Sequence, residues 1–129
     1  LGICEAAIAA SVKYMGERVQ FGKPIGKNQG LQWYLADMAT RTEAAKALIL
    51  EAAVAADNGQ PLSKLAAMCK YYASENAVWV TNKALQIHGG YGYMRDYPIE
   101  RMYRDARIVP IYEGTSEVQK MVIAREVMK

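Results

Sequence analysis

Residues 31–61 read LQWYLADMATRTEAAKALILEAAVAADNGQP, and this stretch decides the fold class. Apolar and small residues recur in it at spacings of four and three, which keeps them on one face of a long α-helix. This stripe consists of Leu31, Leu35, Met38, Thr42, Ala45, Ile49, Ala52 and Ala56. The period ends at residues 58–61, where an Asn-Gly pair and a proline stop the helix. With about 1.5 Å of rise per residue the helix is roughly 40 Å long, a length typical of helical bundles.

Helical periodicity continues on both sides of this stretch. The first helix is predicted from the start of the chain to about Arg18, and the glycines and proline of residues 21–26 then break it. A third helix begins near Ser63, a candidate N-cap, and ends at the Gly-Gly pair of residues 89–90. Small residues dominate the apolar stripe of this third helix, so a neighbouring helix can approach it closely.

Shorter elements follow the third helix. A loop rich in Gly and Tyr, residues 89–98, leads into a short amphipathic helix at residues 99–106. A second irregular segment, residues 108–115, precedes a last helix from about 116 to 128. No segment alternates convincingly between apolar and polar residues as a half-buried strand does. The sequence therefore predicts an all-α domain, an up-and-down bundle of long helices with two irregular loops.

Bulk composition narrows the class of protein. A chain of 129 residues fits one domain with one core. With 52% hydrophobic and 22% charged residues it resembles ordinary globular proteins rather than disordered ones. The 16 basic and 13 acidic residues are dispersed, so no basic run indicates nucleic acid. The small positive excess can still serve an anionic cofactor or substrate.

Cysteine usage and the chain start suggest a cellular context. Cys4 and Cys69 lack a CxxC spacing and fall on apolar sides of helical patterns, which predicts free core residues in a reducing compartment. No apolar stretch reaches the roughly 20 residues of a membrane span, and no signal-peptide pattern opens the chain. We expect a soluble intracellular protein. Because Leu1 already lies within a helical pattern, we interpret the sequence as a piece of a longer polypeptide.

Glu113 is a candidate general base. Ser116 with Gln119 matches a capping box, which places Glu113 just before a helix N-terminus. Free amides there can bind an anion or polarise a carbonyl, and Gly114 lets a ligand approach the backbone. A carboxylate buried among apolar neighbours would have a raised pKa, which suits a general base. The alternative is a helix-entry glutamate that only favours the macrodipole.

Two further segments carry candidate binding groups. Residues 86–90, QIHGG, offer polar groups and bare amides at a helix end, although the glycines can equally form a C-cap with His88 as a last-turn cation. A metal site of several histidines is excluded, because His88 is the single histidine. Residues 18–25, RVQFGKPI, place a guanidinium and an aromatic ring beside exposed backbone, which suits a pyrophosphate and a flat ring or, alternatively, an ordinary loop.

In this order, the three segments resemble the acyl-CoA dehydrogenase family. The resemblance rests on RVQFGKPI with the following Asn-Gln and Leu-Ala-Asp-Met, on QIHGG, and on YEGT at residues 112–115. It covers essentially the whole chain as that family's C-terminal helical domain, a four-helix-bundle type of domain. It implies that residues 1–129 form this domain, and that the family's N-terminal helical domain and middle β-domain are absent from the chain.

The resemblance implies an FAD cofactor and assigns roles to single residues. Glu113 would be the catalytic base, and Gly114 would lie against the acyl-CoA. The QIHGG segment would reach FAD across a subunit interface. The residues expected to contact FAD are Arg18, Val19, Gln20, Asn28, Gln29, Gln86, Ile87, His88, Gly89, Gly90, Thr115, Ser116 and Glu117.

The resemblance also implies an activity and partners. Glu113 would take the α-proton of an acyl-CoA thioester while FAD accepts a hydride from the β-carbon, giving the 2-enoyl-CoA. A glutamate at this position is similar to the short-, medium- and several branched-chain types. Implied partners are an electron-transfer flavoprotein and further copies in a dimer or tetramer, in a bacterial cytoplasm or mitochondrial matrix. The chain alone is expected to be inactive. The alternatives are an acyl-CoA oxidase domain and a stand-alone bundle that self-associates through aromatic anchors such as Trp33 and Trp79.

Overall fold

A computed structural model describes all 129 residues as five α-helices with one small hairpin. The helices are α1 (Gly2–Glu17), α2 (Gln29–Asp57), α3 (Ser63–His88), α4 (Ile99–Ile108) and α5 (Ser116–Val127). The strands β1 (Val19–Gln20) and β2 (Lys23–Pro24) pair antiparallel, and single 3-10 turns occupy Ile25–Lys27 and Gly89–Tyr93. The predicted all-α bundle of long helices is confirmed. The hairpin was not predicted, because strands of two residues are too short to show alternation.

Helix α3 is the centre of the bundle and packs against α1, α2, α4 and α5. Its buried face is made largely of small and β-branched residues, which lets the other helices approach closely. The core cluster consists of Cys4, Ala7, Tyr14, Met15, Ile25, Met38, Ala77, Val80, Ala84, Ile87, Ile99 and Ala106. Residues 1–3 lie beside the first half of α3 and Tyr14 stacks on His88, so α1 and α3 run parallel. This is the arrangement expected for alternate helices of an up-and-down bundle.

The buried residues of α2 match the predicted apolar stripe in the middle of the helix and differ from it at the C-terminal end. Met38, Thr42 and Ala45 are buried. Near the C-terminus Ala55 is buried and the predicted Ala56 is exposed. A period of 3.6 residues lies between spacings of three and four, so the buried face at the end of a long helix shifts by one residue according to the partner it meets.

Two predicted helix caps are wrong by one residue. Ser63 is the first residue of α3, while Leu62 occupies the N-cap position without a side-chain hydrogen bond. At α5 the N-cap is Thr115, whose Oγ1 accepts the Val118 N–H at 3.4 Å. Ser116 therefore does not form the predicted capping box. Its hydroxyl donates to Glu75 Oε1 on α3 instead, because tertiary packing brings that carboxylate to the helix start.

The hairpin turns the chain sharply after α1. Phe21 and Gly22 have φ values of 51° and 77°, as a two-residue turn of type I′ requires. Phe21 is 98% exposed at the tip. The hairpin returns the chain to Ile25, which is buried and donates its N–H to the Arg18 carbonyl at 2.8 Å. This closure holds the backbone of Arg18 at the end of the bundle.

The two cysteines differ in environment. Cys4 is buried in the core as predicted, whereas Cys69 is half-buried and its thiol donates to the Leu48 carbonyl at 3.2 Å. Burial raises the pKa of both thiols, since it disfavours the thiolate. None of the helices combines the length and the apolar character that crossing a bilayer requires.

Candidate functional site

A cavity of about 720 Å³ brings together two of the three candidate segments. Arg18 and Gln20 come from the end of α1 and from β1, and QIHGG comes from the end of α3. Because α1 and α3 run parallel, their C-terminal ends meet at the same end of the bundle. The complete lining is Tyr14, Arg18, Gln20, Ile25, Leu31, Gln86, Ile87, His88, Gly89, Gly90, Tyr91 and Met94. We call this site the Arg18 cavity.

Arg18 supplies an unpaired positive charge to the cavity. Its side chain is half-buried, and no carboxylate lies within 4.0 Å of its guanidinium. The guanidinium carbon lies 5.0 Å from the centroid of the Tyr91 ring, a cation–π contact that leaves the N–H donors available. A guanidinium with free donors in a concave site is suited to an anion, above all to a phosphate oxygen pair.

His88 forms the aromatic floor of the cavity. It is 3% exposed and stacks on Tyr14 with ring centroids 4.3 Å apart, while Tyr97 packs edge-on at 5.8 Å. Its Nδ1 lies 2.8 Å from the Ala84 carbonyl, which accepts only, so Nδ1 carries the proton and Nε2 is the acceptor of the neutral ring. Burial lowers the pKa of His88. Burial thus disfavours the charged imidazole that the alternative of a last-turn cation requires.

The glycine-rich turn of the cavity is held closely against α3. Gly89 has φ 59° and donates its N–H to the Gln86 carbonyl. A Cβ added at Gly92 would lie 2.7 Å from the Leu85 carbonyl oxygen and 2.9 Å from the His88 Cβ. Only glycine fits this approach, and the approach presents residues 89–91 to the cavity.

Three residues of the first segment that were expected to contact FAD lie outside this cavity. Val19 is exposed in β1, and Gln29 is exposed at the first position of α2. Asn28 precedes α2 and uses its carbonyl to accept the N–H groups of Leu31 and Gln32. The structure of the single chain does not bring these three side chains to the Arg18 cavity, so their assignment stays a prediction.

The third segment lies elsewhere. Thr115, Ser116 and Glu117 line a separate cavity of about 330 Å³. The loop before them contacts α3 at Lys70, whose Nζ donates to the Gly114 carbonyl at 2.7 Å. Gln86 lies 16 residues further along α3, which is about 24 Å at the usual helical rise. One chain therefore holds Glu113 and the Arg18 cavity well apart.

Glu113 lies in a strained turn before α5. Its φ is 51° and that of Gly114 is 94°, a left-handed pair that costs of order 1 kcal/mol or more for the non-glycine residue. The Glu113 N–H donates to no group of the chain. A Cβ at Gly114 would lie 2.5 Å from Gln119 Nε2, the end of a side chain that can move, so it is the φ of 94° that favours glycine at this position. The expected burial of Glu113 among apolar neighbours is not seen within this chain, where its side chain is exposed.

Glu117 is an ionised carboxylate at the start of α5. Hydrogen bonds from its own backbone amide and from the Thr115 hydroxyl lower the pKa of the Glu117 carboxyl, and the charges of Lys120 and Lys70 act in the same direction. A carboxylate in the first turn is also favoured by the helix macrodipole. Its side chain is exposed, so it can accept from a ligand as well as cap the helix.

A third, apolar cavity of about 700 Å³ lies between α1, α2 and α3 next to the Glu113 loop. Tyr112, the residue before Glu113, forms part of its wall, and Lys70 lies in the same lining. Sequence reasoning assigned no role to Lys70 or to Tyr14. Tyr14 precedes Arg18 by four residues, about one turn of the predicted first helix, and this spacing was available as a signal. Lys70 carried no such signal, because its partner lies 44 residues away.

The fold and the site together define a helical domain with an unpaired arginine, a glycine-rich turn and a glutamate beside a free amide. Residues 1–128 match the family described as acyl-CoA dehydrogenase, C-terminal domain. The chain belongs to this family.

Relatives agree with this assignment. The chain is 68% identical over 129 residues to acryloyl-CoA reductase (NADH) of Anaerotignum propionicum, covering 100% of this chain and 33% of that protein. It is 50% identical to the short-chain specific acyl-CoA dehydrogenase of Clostridium acetobutylicum, covering 100% of this chain and 34% of that protein. The solved butyryl-CoA dehydrogenase of Megasphaera elsdenii is similar with a TM-score of 0.97 and 48% identity, over 99% of this chain and 33% of that one. The chain thus spans about a third of the length of the curated relatives it matches.

Proposed function

We propose that this chain is the C-terminal helical domain of an FAD-dependent acyl-CoA dehydrogenase. Residues 1–129 would contribute the catalytic base and part of the cofactor site, and an N-terminal helical domain and a middle β-domain would complete the enzyme. The observation that carries the proposal is the Glu113 turn, where a carboxylate, a free N–H and a glycine with positive φ coincide in a chain of this family.

The residues of the Arg18 cavity fit the diphosphate part of FAD. Arg18 has free N–H donors and no carboxylate partner in the chain. Two phosphate oxygens would accept hydrogen bonds from these donors and balance the positive charge. Gln20 and Gln86 lie on the lining as neutral hydrogen-bonding groups, and the backbone of Gly89 and Gly90 is open to close approach. When bound, FAD would supply the hydride acceptor.

Glu113 would act on the α-carbon of the thioester. Its carboxylate would accept the α-proton as the β-hydrogen leaves with its electron pair to the flavin, so that a carbon–carbon double bond forms. The α-proton is weakly acidic, and the free N–H of Glu113 would donate to the thioester carbonyl and stabilise the charge that develops there. Gly114, whose positive φ favours a residue without a side chain, would leave room for the acyl-CoA beside the backbone.

The distance between the two sites favours a cofactor site shared between copies. The Glu113 loop and the Arg18 cavity are about 24 Å apart along α3, so the loop of one copy would serve the FAD held by the cavity of another. The exposed apolar side chains support association into a dimer or tetramer. They include Phe21, Trp33, Leu50, Val54, Met121 and Val127.

The electron acceptor would be an electron-transfer flavoprotein. A relative from Acetobacterium woodii, 50% identical to this chain, is named as a subunit of a caffeyl-CoA reductase–Etf complex. We propose that the intact enzyme works inside the cell, in the compartment that holds this partner. An oxidase passing electrons to oxygen is the nearest variant, and a prolyl acyl carrier protein oxidase has a similar structure at 38% identity.

The reverse reaction is a second candidate. The relative that is 68% identical is named an acryloyl-CoA reductase (NADH), and one that is 54% identical is named a 3-(aryl)acrylate reductase. In that direction Glu113 would be protonated first and would return the proton to the α-carbon, while the β-carbon would receive a hydride from the reduced flavin. The same residues serve both directions by microscopic reversibility, so residue types in this domain do not choose between them.

The test uses the full-length parent enzyme purified with its flavin. Glu113→Gln keeps shape and hydrogen bonding but cannot accept the α-proton, so we expect bound FAD to be retained and turnover to fall by at least about 10²- to 10⁴-fold. Short saturated and 2-unsaturated acyl-CoA thioesters, assayed with an artificial acceptor and with a reductant, distinguish dehydrogenase from reductase. Oxygen consumption identifies an oxidase.

Near-normal turnover of Glu113→Gln would place the base elsewhere and refute the assignment. A parent protein that purifies without flavin would instead support the stand-alone bundle. An exposed glutamate outside the site, Glu43→Gln, is the matched control and should behave as the unaltered enzyme.

A further inference from the structure

Lys70 is a half-buried lysine in the first half of α3 that has no acidic partner. No carboxylate lies within 4.0 Å of its Nζ. Its side chain lies in the lining of the apolar cavity that Tyr112 also walls, and its ammonium donates to the Gly114 carbonyl at 2.7 Å. The aliphatic part of the Lys70 side chain thus packs against apolar surface, while its ammonium group donates to one backbone oxygen of the Glu113 loop.

The carbonyl of Gly114 has two donors. Besides Lys70, the Gln119 side chain donates to it at 3.3 Å from the first turn of α5. Two residues later, the Ser116 hydroxyl donates to Glu75 on α3. The turn is therefore tied to α3 at Gly114 and again at Ser116, and Lys70 is the charged member of these ties.

These ties act on the peptide that sets the direction of Glu113. Glu113 and Gly114 both have positive φ, a conformation that non-glycine residues leave readily unless the surroundings hold it. Fixing the Gly114 carbonyl fixes the plane of the following peptide and limits rotation about both strained residues. The left-handed turn is then maintained, with the Glu113 N–H free of any hydrogen bond within the chain and the Glu113 carboxylate exposed.

We propose that Lys70 is a positioning residue for the catalytic base, holding the Glu113–Gly114 turn in its active conformation through the Gly114 carbonyl. The proposal rests on the proposed role of Glu113. Lys70 acts through the backbone and does not touch the reacting atoms. Its charge adds a second effect in the same loop, since it lies close enough to Glu117 to favour the ionised carboxylate there.

The test compares three variants of the full-length, FAD-loaded enzyme. Lys70→Met keeps the length of the stem and removes the donor, Lys70→Arg keeps a charged donor, and Lys64→Met removes an exposed lysine from the first turn of the same helix. We expect kcat per bound flavin to fall about 10- to 100-fold in Lys70→Met, as small misplacement of a reacting group does. KM and flavin content should change less than about threefold, Lys70→Arg should recover part of the loss, and Lys64→Met should be normal.

A second readout does not depend on turnover. Amide hydrogen exchange of a peptide spanning residues 111–118 should be faster in Lys70→Met than in Lys64→Met, because the turn is released from α3. Unchanged exchange with normal kcat per flavin would overturn the proposal. The proposal would also be overturned if Lys70→Met fails to fold. The same holds if this variant loses flavin while the holoenzyme that remains turns over normally, since Lys70 would then serve stability alone.

Failure of this inference is distinguishable from failure of the proposed function. Normal turnover in Lys70→Met beside an inactive Glu113→Gln removes only the positioning role. Normal turnover in Glu113→Gln removes the role of the base, and with it the reason for positioning that turn.

Discussion

At the scale of single residues, each candidate site depends on a side chain that binds no ligand itself. Tyr14 stacks on His88 and keeps the imidazole in the floor of the Arg18 cavity. Lys70 holds the carbonyl of Gly114 beside the proposed base. Arg18 and Glu113 are the charged candidate residues, and neither has an ion-pair partner in the chain. A cation–π contact with Tyr91 orients Arg18, and the Lys70 ammonium holds the turn that contains Glu113.

Arg18→Ala in the full-length enzyme should weaken retention of FAD more than it slows the chemistry of the holoenzyme. A charge-assisted contact to phosphate is worth about 1.5–3 kcal/mol, which corresponds to about 10- to 100-fold in affinity. Flavin per subunit after dialysis measures the effect. Lys13→Ala, an exposed lysine on α1, is the control. A full complement of FAD in the Arg18 variant would leave Arg18 as a turn residue.

His88 should make the folded chain sensitive to acid. Burial lowers its pKa in the native state, so below the unfolded value of about 6.5 the unfolded chain binds a proton that the native chain does not. The stability that His88 contributes is present above that pH and is lost as pH falls through the lowered native pKa. Its part of the slope cannot exceed about 1.4 kcal/mol per pH unit.

The measurement compares urea unfolding at several pH values between 7.5 and 5 for the natural chain and for His88→Phe. Phenylalanine keeps an aromatic ring against Tyr14 and removes the titration. We expect a shallower fall in the free energy of unfolding for the variant, whatever its absolute stability. Parallel curves for the two proteins would show that His88 does not contribute to the acid sensitivity.

At the scale of elements, the ends of the helices determine where the functional groups lie. The parallel course of α1 and α3 brings Arg18 and QIHGG to one end of the bundle. The β1–β2 hairpin closes this end by returning Ile25 to the core. The turn after α3 packs so closely on that helix that Gly92 meets the Leu85 carbonyl.

Gly92→Ala should destabilise the chain by about 1–3 kcal/mol, because the added methyl meets backbone and Cβ atoms that cannot move without distorting α3. Gly90→Ala is the matched control, since a Cβ there has no neighbour within 4 Å and its φ is not positive. Thermal or urea unfolding of both variants provides the comparison. Equal stabilities would show that the turn relaxes and that the close approach is not required.

At the scale of the whole molecule, the chain has two separate candidate sites and several exposed apolar side chains. The Glu113 loop and the Arg18 cavity lie about 24 Å apart along α3. Trp33 is 62% exposed on α2, and Leu50 and Val54 are exposed on the same helix. A long amphipathic helix that leaves such side chains in water lacks a partner in the single chain.

The chain of residues 1–129 should therefore fold into a helical bundle and self-associate, yet bind FAD weakly or not at all. Its core is continuous, whereas each proposed cofactor contact would be only part of a site. Circular dichroism, light scattering over a range of concentrations and flavin titration test the three parts. A monomer that binds one FAD tightly would contradict both the shared site and the proposal that further domains complete the enzyme.

Prediction from sequence succeeded where the signal was local. The bounds of α2 and α3 follow from periodicity and from the Gly and Pro residues that end them. Prediction failed where either of two neighbouring residues could occupy the same structural position. Thr115 and Ser116 are both N-cap residues by chemistry, and only the presence of Glu75 on α3 draws the Ser116 hydroxyl away from the cap. Ala55 and Ala56 differ in burial for a similar reason.

The sequence by itself determined the all-α class and the order of the long helices, and it marked three candidate segments where helices end, because periodicity and helix breakers act over a few residues. Only the tertiary structure decided that Arg18 and QIHGG share a cavity, that Glu113 lies elsewhere, and that Lys70 holds its loop. These relations join residues 44 or more positions apart. They depend on which helix faces meet, a result of packing over the whole core that no local pattern records.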